Sequence, residues 1–89
     1  MPRVSFTGHL HRLVACDAVE VKGATVREAL EAAFAQNPLL RGYVLDDQGA
    51  LRRHVIVFVG GEPVRDRAGL SDAAPERAEI AVLQALSGG

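Results

Sequence analysis

The residues whose chemistry stands out are the last four, Leu86-Ser87-Gly88-Gly89. Neither terminal glycine has a side chain to pack, and both reach backbone angles closed to other residues. A tail of this kind is ordered only when something holds it. A strand-like run, Ile80-Ala81-Val82-Leu83, stands directly before it. The pattern predicts a stiff element ending in a flexible thread, residues 86–89, that carries one reactive group, the Gly89 α-carboxylate. With no β-carbons at its tip, the thread fits a narrow channel in another protein. A carboxylate is a poor acyl donor because its oxygen is a poor leaving group, and adenylation supplies a good one. A terminal carboxylate, with a pKa of about 3.5, is ionised at neutral pH and can attack the α-phosphate of ATP. The alternative is a frayed or trimmed end without chemistry.

Nothing in the chain could perform that activation itself. It has no glycine-rich phosphate loop ending in Lys-Ser or Lys-Thr, and no general base beside the tail. His9 and His11 alternate, and His54 could join them as metal ligands. No Asp or Cys completes the cluster, so solvent-facing histidines and no metal are expected. Asp46-Asp47-Gln48-Gly49 lacks the alternating acidic ligands of a calcium loop and reads as a turn. Glu76 and Glu79 are paired carboxylates without a pocket. Arg52-Arg53 either steers an acidic partner or starts a solvated strand.

These groups sit in a chain of 89 residues, enough for one domain with one small core. An apolar fraction of 48% marks it as globular. The formal net charge is −1, and the nine arginines and single lysine, Lys22, are scattered. With aromatics at only 4%, this argues against a nucleic-acid footprint. The one cysteine, Cys16, excludes an internal disulfide and reads as a half-buried small residue. No apolar run approaches a membrane span and no signal-peptide core opens the chain, so a cytoplasmic protein is expected.

The elements that must position the tail follow from periodicity. Val4-Ser5-Phe6-Thr7 and Val19-Glu20-Val21-Lys22 alternate as half-buried strands and predict a hairpin. Thr25-Val26-Arg27-Glu28 is a capping box, with Glu28 expected to reach back to the Thr25 amide. Val26, Leu30, Ala33 and Phe34 then share one helix face, with Arg27 and Glu31 as an ion pair at i,i+4. Asn37-Pro38 ends that helix, and Leu39-Leu40 is expected to pack back on the core. His54-Val55-Ile56-Val57-Phe58-Val59 is the strongest strand, Gly60-Gly61 a tight turn, and Glu62-Pro63-Val64 a short edge strand. Residues 65–77 are mostly polar or small, with Leu70 as their anchor. Ala78–Ala85 forms the last strand, predicted to lie parallel to the first. The class is α+β: a mixed sheet of four to five strands with one main helix on one face, residues 1–85, followed by the tail. Val55, Val57 and Val59 suit the helix-covered face. Ile56 and Phe58 then form an exposed apolar patch, extended by Leu83 and Leu86, where a partner would dock.

The strand order, the phrase Val57-Phe58-Val59-Gly60-Gly61-Glu62-Pro63-Val64 and the ending Ile80 to Gly89 resemble the MoaD/ThiS family of ubiquitin-like sulfur carriers. Residues 53–64 are most similar to the CysO-like branch. Where this chain has Gly60-Gly61, family members often keep Asn or Asp. The resemblance covers nearly the whole chain and implies a β-grasp fold. It also implies a carrier cycle. A separate adenylating enzyme of the ubiquitin-activating type uses ATP and Mg²⁺ on Gly89. A sulfur donor then displaces AMP, and a sulfur-using synthase consumes the thiocarboxylate. The protein would be a co-substrate rather than an enzyme, with no bound cofactor and with Ser87 and Gly88 as its thread. Two alternatives stay open: a protein modifier conjugated through Gly89, and a plain β-grasp interaction domain.

Overall fold

The computed structural model describes residues 1–6 and 18–84. Their strands are β1 (Arg3–Phe6), β2 (Ala18–Glu20), β3 (Val55–Val59), β4 (Glu62–Pro63) and β5 (Glu79–Gln84). Two helices, α1 (Val26–Gln36) and α2 (Pro38–Val44), lie between β2 and β3. The sheet runs β2-β1-β5-β3-β4. The first and last strands are parallel neighbours at its centre, with Val4 opposite Ile80, and all other pairs are antiparallel. Gly60 and Gly61, at φ +59° and +87°, turn β3 into β4. Both angles are positive, as a two-residue type I′ hairpin requires. No described helix is long and apolar enough to cross a membrane.

The core forms where α1 and α2 meet one face of the sheet. Val26, Ala29, Leu30, Ala33 and Phe34 come from α1; Val4, Phe6, Val55, Val57, Ile80 and Val82 come from the strands; all are buried. Each large apolar side chain contributes about 1.5–3 kcal/mol of burial. α2 is an element the periodicity missed. Proline occupies its first turn, where the absent N–H costs nothing, and only Leu40 and Val44 turn inward. Leu40 packs on the core as expected, whereas Leu39 stays 76% exposed.

The N-terminus of α1 is satisfied in an unexpected way. Thr25 accepts from the Glu28 amide at 3.2 Å, but the Glu28 carboxylate takes the Ala24 amide at 2.9 Å instead of that of Thr25. The Val26 and Arg27 amides donate to the carbonyls of Asp72 and Leu70, each at 2.9 Å. The loop after β4 therefore caps the helix. Arg27 ties it down further, donating to the carbonyls of Gly49, Ala68 and Gly69 as well as to Glu31. Leu70 anchors this loop: it is fully buried at φ +55°, a left-handed conformation costing about 1–2 kcal/mol in an L-residue. Its burial offsets that strain.

Two carboxylates shape the same loop. Asp72 accepts from the amides of Arg65 at 2.9 Å and Asp66 at 2.8 Å. Asp66 accepts from the Ser71 hydroxyl at 2.6 Å and from the amides of Gly69 at 2.8 Å and Ser71 at 3.2 Å. These donors, the Ser71 hydroxyl foremost, hold the Asp66 carboxyl at about 2, below the usual 3.8. Because the folded value lies below the unfolded one, this stabilisation is fully present above about pH 4 and is lost as pH falls toward 2. Asp66→Asn is therefore expected to melt below the wild type at pH 7, with the gap narrowing from pH 4 to pH 2. A gap that stays constant in that window, in melting curves recorded against pH, would assign the loss to the side chain's shape instead of its charge.

Candidate functional site

β5, the central strand, is the last described element before the C-terminal residues. Ile80 and Val82 are buried under the helices, so period two turns Ala81 and Leu83 to the opposite face. Residues 85–89 lie outside the described residues, and with them the predicted site residues Leu86, Ser87, Gly88 and Gly89. His9, His11 and Cys16 lie outside as well.

The described part of the predicted docking patch is assembled by register. In β3, Val55 and Val57 are buried, whereas Ile56 and Phe58 are half-buried on the face away from the helices. Val59, half-buried, packs against the core. Ile56 stands opposite Leu83, and Phe58 opposite Ala81. Directly opposed side chains have Cβ atoms about 4.5–5.5 Å apart, so each pair forms one surface.

The row through Phe58 continues across every strand. Pro63 of β4 faces Phe58, Ala81 faces Ser5 of β1, and Ser5 faces Ala18 of β2. The sheet thus presents a band of small and apolar residues, Pro63-Phe58-Ala81-Ser5-Ala18, with Ile56 and Leu83 between it and the point where the chain leaves β5. The sequence reading missed Pro63, Ala81, Ser5 and Ala18 as members of this face. Alternation in β5 is the signal for Ala81; the others need the register. At the opposite end of the sheet the surface turns polar: Arg3 pairs with Glu20 at 3.6 Å and stands opposite Glu79. Leu83 and Ile56 are therefore the apolar pair of this face nearest the point where the chain leaves β5, and the charges sit at the far end.

Little else in the described residues offers chemistry. His54 is exposed just before β3. No group of three or more His, Cys, Asp or Glu is placed to hold a metal ion among the described residues. Glu76 and Glu79 are both exposed, Glu79 beside Arg3.

Comparison with known proteins adds to this geometry. The family model described as the ThiS family matches residues 4–89. No curated protein matches the chain significantly. Among solved structures, a chain of the BexX/CysO complex of Amycolatopsis orientalis is 27% identical, covered over 100% of both chains, with a TM-score of 0.86. SAMP1 of Haloferax volcanii is 28% identical, covering 99% of this chain and 98% of that one, with a TM-score of 0.84. CysO of Mycobacterium tuberculosis, at 24% identity and a TM-score of 0.83 over 97% and 100% of the two chains, shares the fold.

Proposed function

The chain belongs to the ThiS family, with the ubiquitin-like β-grasp fold, and from this premise we propose that it is a sulfur carrier working through Gly89. The Gly89 carboxylate attacks the α-phosphate of ATP on a partner adenylating enzyme of the ubiquitin-activating type. An acyl-adenylate forms and pyrophosphate leaves. Sulfide then attacks the acyl carbon, AMP departs with the C–O electron pair, and a thiocarboxylate remains. With a persulfide donor, a thiol must afterwards cleave the S–S bond of the acyl persulfide. The ATP and Mg²⁺ belong to the partner, and a synthase downstream takes the sulfur for a biosynthetic product such as cysteine, molybdopterin, thiamine or a secondary metabolite. In this cycle the protein is a co-substrate, Ser87 and Gly88 are its thread, and Ile56, Phe58, Leu83 and Leu86 are its docking face.

The observation that carries the reading is the match to the family model through residue 89, which includes the diglycine following β5. A second reading, a protein modifier in which a lysine amine attacks the adenylate instead of sulfur, draws on the likeness to SAMP1, a small archaeal modifier protein. Intact-mass spectrometry after incubation with the cognate adenylating enzyme, ATP, Mg²⁺ and sulfide separates them. Exchange of one oxygen for sulfur at Gly89 is expected. Conjugates to other proteins through Gly89 would favour the modifier, and an unchanged mass beside an active enzyme would leave a plain interaction domain.

A further inference from the structure

The register that fixes the end of β5 also places three arginines at that end of the sheet. Val55 stands opposite Gln84, so the turn preceding β3 lies at the end of the sheet from which the chain leaves β5. Arg52 and Arg53 occupy that turn, closed by the Val55 amide on the Arg52 carbonyl at 3.0 Å. Arg67 joins them: its guanidinium donates to the same carbonyl at 2.9 Å, while its own carbonyl accepts from the Leu51 amide at 2.9 Å. Arg52 is fixed by a 2.7 Å bond from Nε to the Gly42 carbonyl. All three residues are exposed.

Among the described residues, Arg3, Arg27 and Arg41 have carboxylate partners, and Arg52, Arg53, Arg65, Arg67 and Arg77 have none; of these five, Arg52, Arg53 and Arg67 are gathered at the turn before β3. Asp66 adjoins Arg67 along the chain, but its carboxylate is taken up by the Ser71 hydroxyl and the Gly69 and Ser71 amides, and Asp46 and Asp47 belong to the turn whose Gly49 carbonyl is held by Arg27. The chain as a whole carries a formal charge of −1, so this cationic rim is a local feature. Glu20, Glu62 and Glu79 lie toward the other end of the strands.

We propose that Arg52, Arg53 and Arg67 form a second docking element, an electrostatic rim that receives an acidic surface patch on the enzyme activating Gly89. The proposal rests on the sulfur-carrier reading above. Three guanidiniums at the end of the sheet where β5 finishes suit a small acidic protein surface; a nucleic-acid backbone would call for a longer basic track and stacking aromatics. Two of the three are already held by backbone carbonyls, so less rotamer freedom is lost on engagement. Rim charges of this kind chiefly raise the association rate and set its salt dependence. The apolar face then holds the partner, and the rim brings it to the tail's end of the sheet.

Arg53 decides the matter, because its side chain makes no hydrogen bond or ion pair among the described residues. Pyrophosphate release would be followed with the full-length chain, its cognate adenylating enzyme, ATP and Mg²⁺. Arg53→Glu is expected to lower kcat/KM by about 10-fold or more at low salt, with kcat within about 2-fold. The deficit should close as salt rises to about 0.5 M, where charges are screened within a few ångströms. Arg53→Lys should keep most of the rate. If Arg53→Glu matches a fully activated wild type at low salt, or its deficit persists at high salt, the rim has no docking role. If the wild type is not activated at all, the sulfur-carrier reading fails and the rim proposal falls with it.

Discussion

Removing Gly88 and Gly89 is expected to abolish thiocarboxylate formation while leaving the folded domain intact. Each residue of an extended chain spans about 3.3–3.6 Å, so the truncated carboxylate, now on Ser87, falls about 7 Å short of the adenylate. A displacement of only 1 Å can cost about 100-fold in a positioned reaction, so a loss beyond about 1,000-fold is expected here. The new terminal residue also carries a β-carbon into whatever channel accepts the thread. Stability should not follow activity. The last core member of the described chain is Val82, six positions before the truncation, so the melting temperature should stay within about 1 °C. The measurement pairs intact mass with a melting curve. A truncated chain that still exchanges oxygen for sulfur would remove Gly89 from the mechanism. A truncated chain that keeps all of its biological activity would point to an interaction domain with an idle end.

What was legible in the sequence follows a physical division between local and long-range signals. The Thr25 cap, the Val26-Leu30-Ala33-Phe34 face, the glycine pair at φ +59° and +87° and the inward parity of Val55 and Val57 are local patterns, and each reads directly. α2 escaped because seven residues interrupted by Gly42 show only one inward pair, Leu40 and Val44. The loop of residues 65–77 escaped for a different reason. Its order comes from Asp66, Asp72 and a clamp by Arg27, side chains answering backbone groups, which leaves no periodic trace. Arg27 reads in sequence as half of an ion pair with Glu31, yet most of its bonds go to carbonyls more than twenty positions away. The same division runs through the site. Terminal glycines announce themselves, as do the alternating residues of β3. Pro63, Ser5 and Ala18 become one surface with Phe58 only through pairings among all five strands.

That surface supports the second large prediction. Ile56→Asp combined with Phe58→Asp is expected to cut kcat/KM for activation by about 100-fold or more, the loss that follows when central apolar anchors worth about 2–4 kcal/mol are replaced by charge. Both residues are half-buried on the helix-free face, so the aspartates meet solvent and the fold survives with a modest drop in melting temperature. The control is the same chemical change elsewhere. Leu39 and Tyr43, 76% and 50% exposed, are neighbours at i,i+4 on the outer side of α2. Leu39→Asp with Tyr43→Asp removes as large an apolar patch but should leave activation unchanged. The two double variants therefore test place and not hydrophobicity. If the α2 variant fails and the β3 variant does not, the enzyme grips the helical side, and the band from Pro63 to Ala18 has another occupant. If the β3 variant alone fails, the partner lies along the strand that carries the thread. The apolar face then sets how tightly the enzyme binds, while the rim of Arg52, Arg53 and Arg67 sets how fast it arrives.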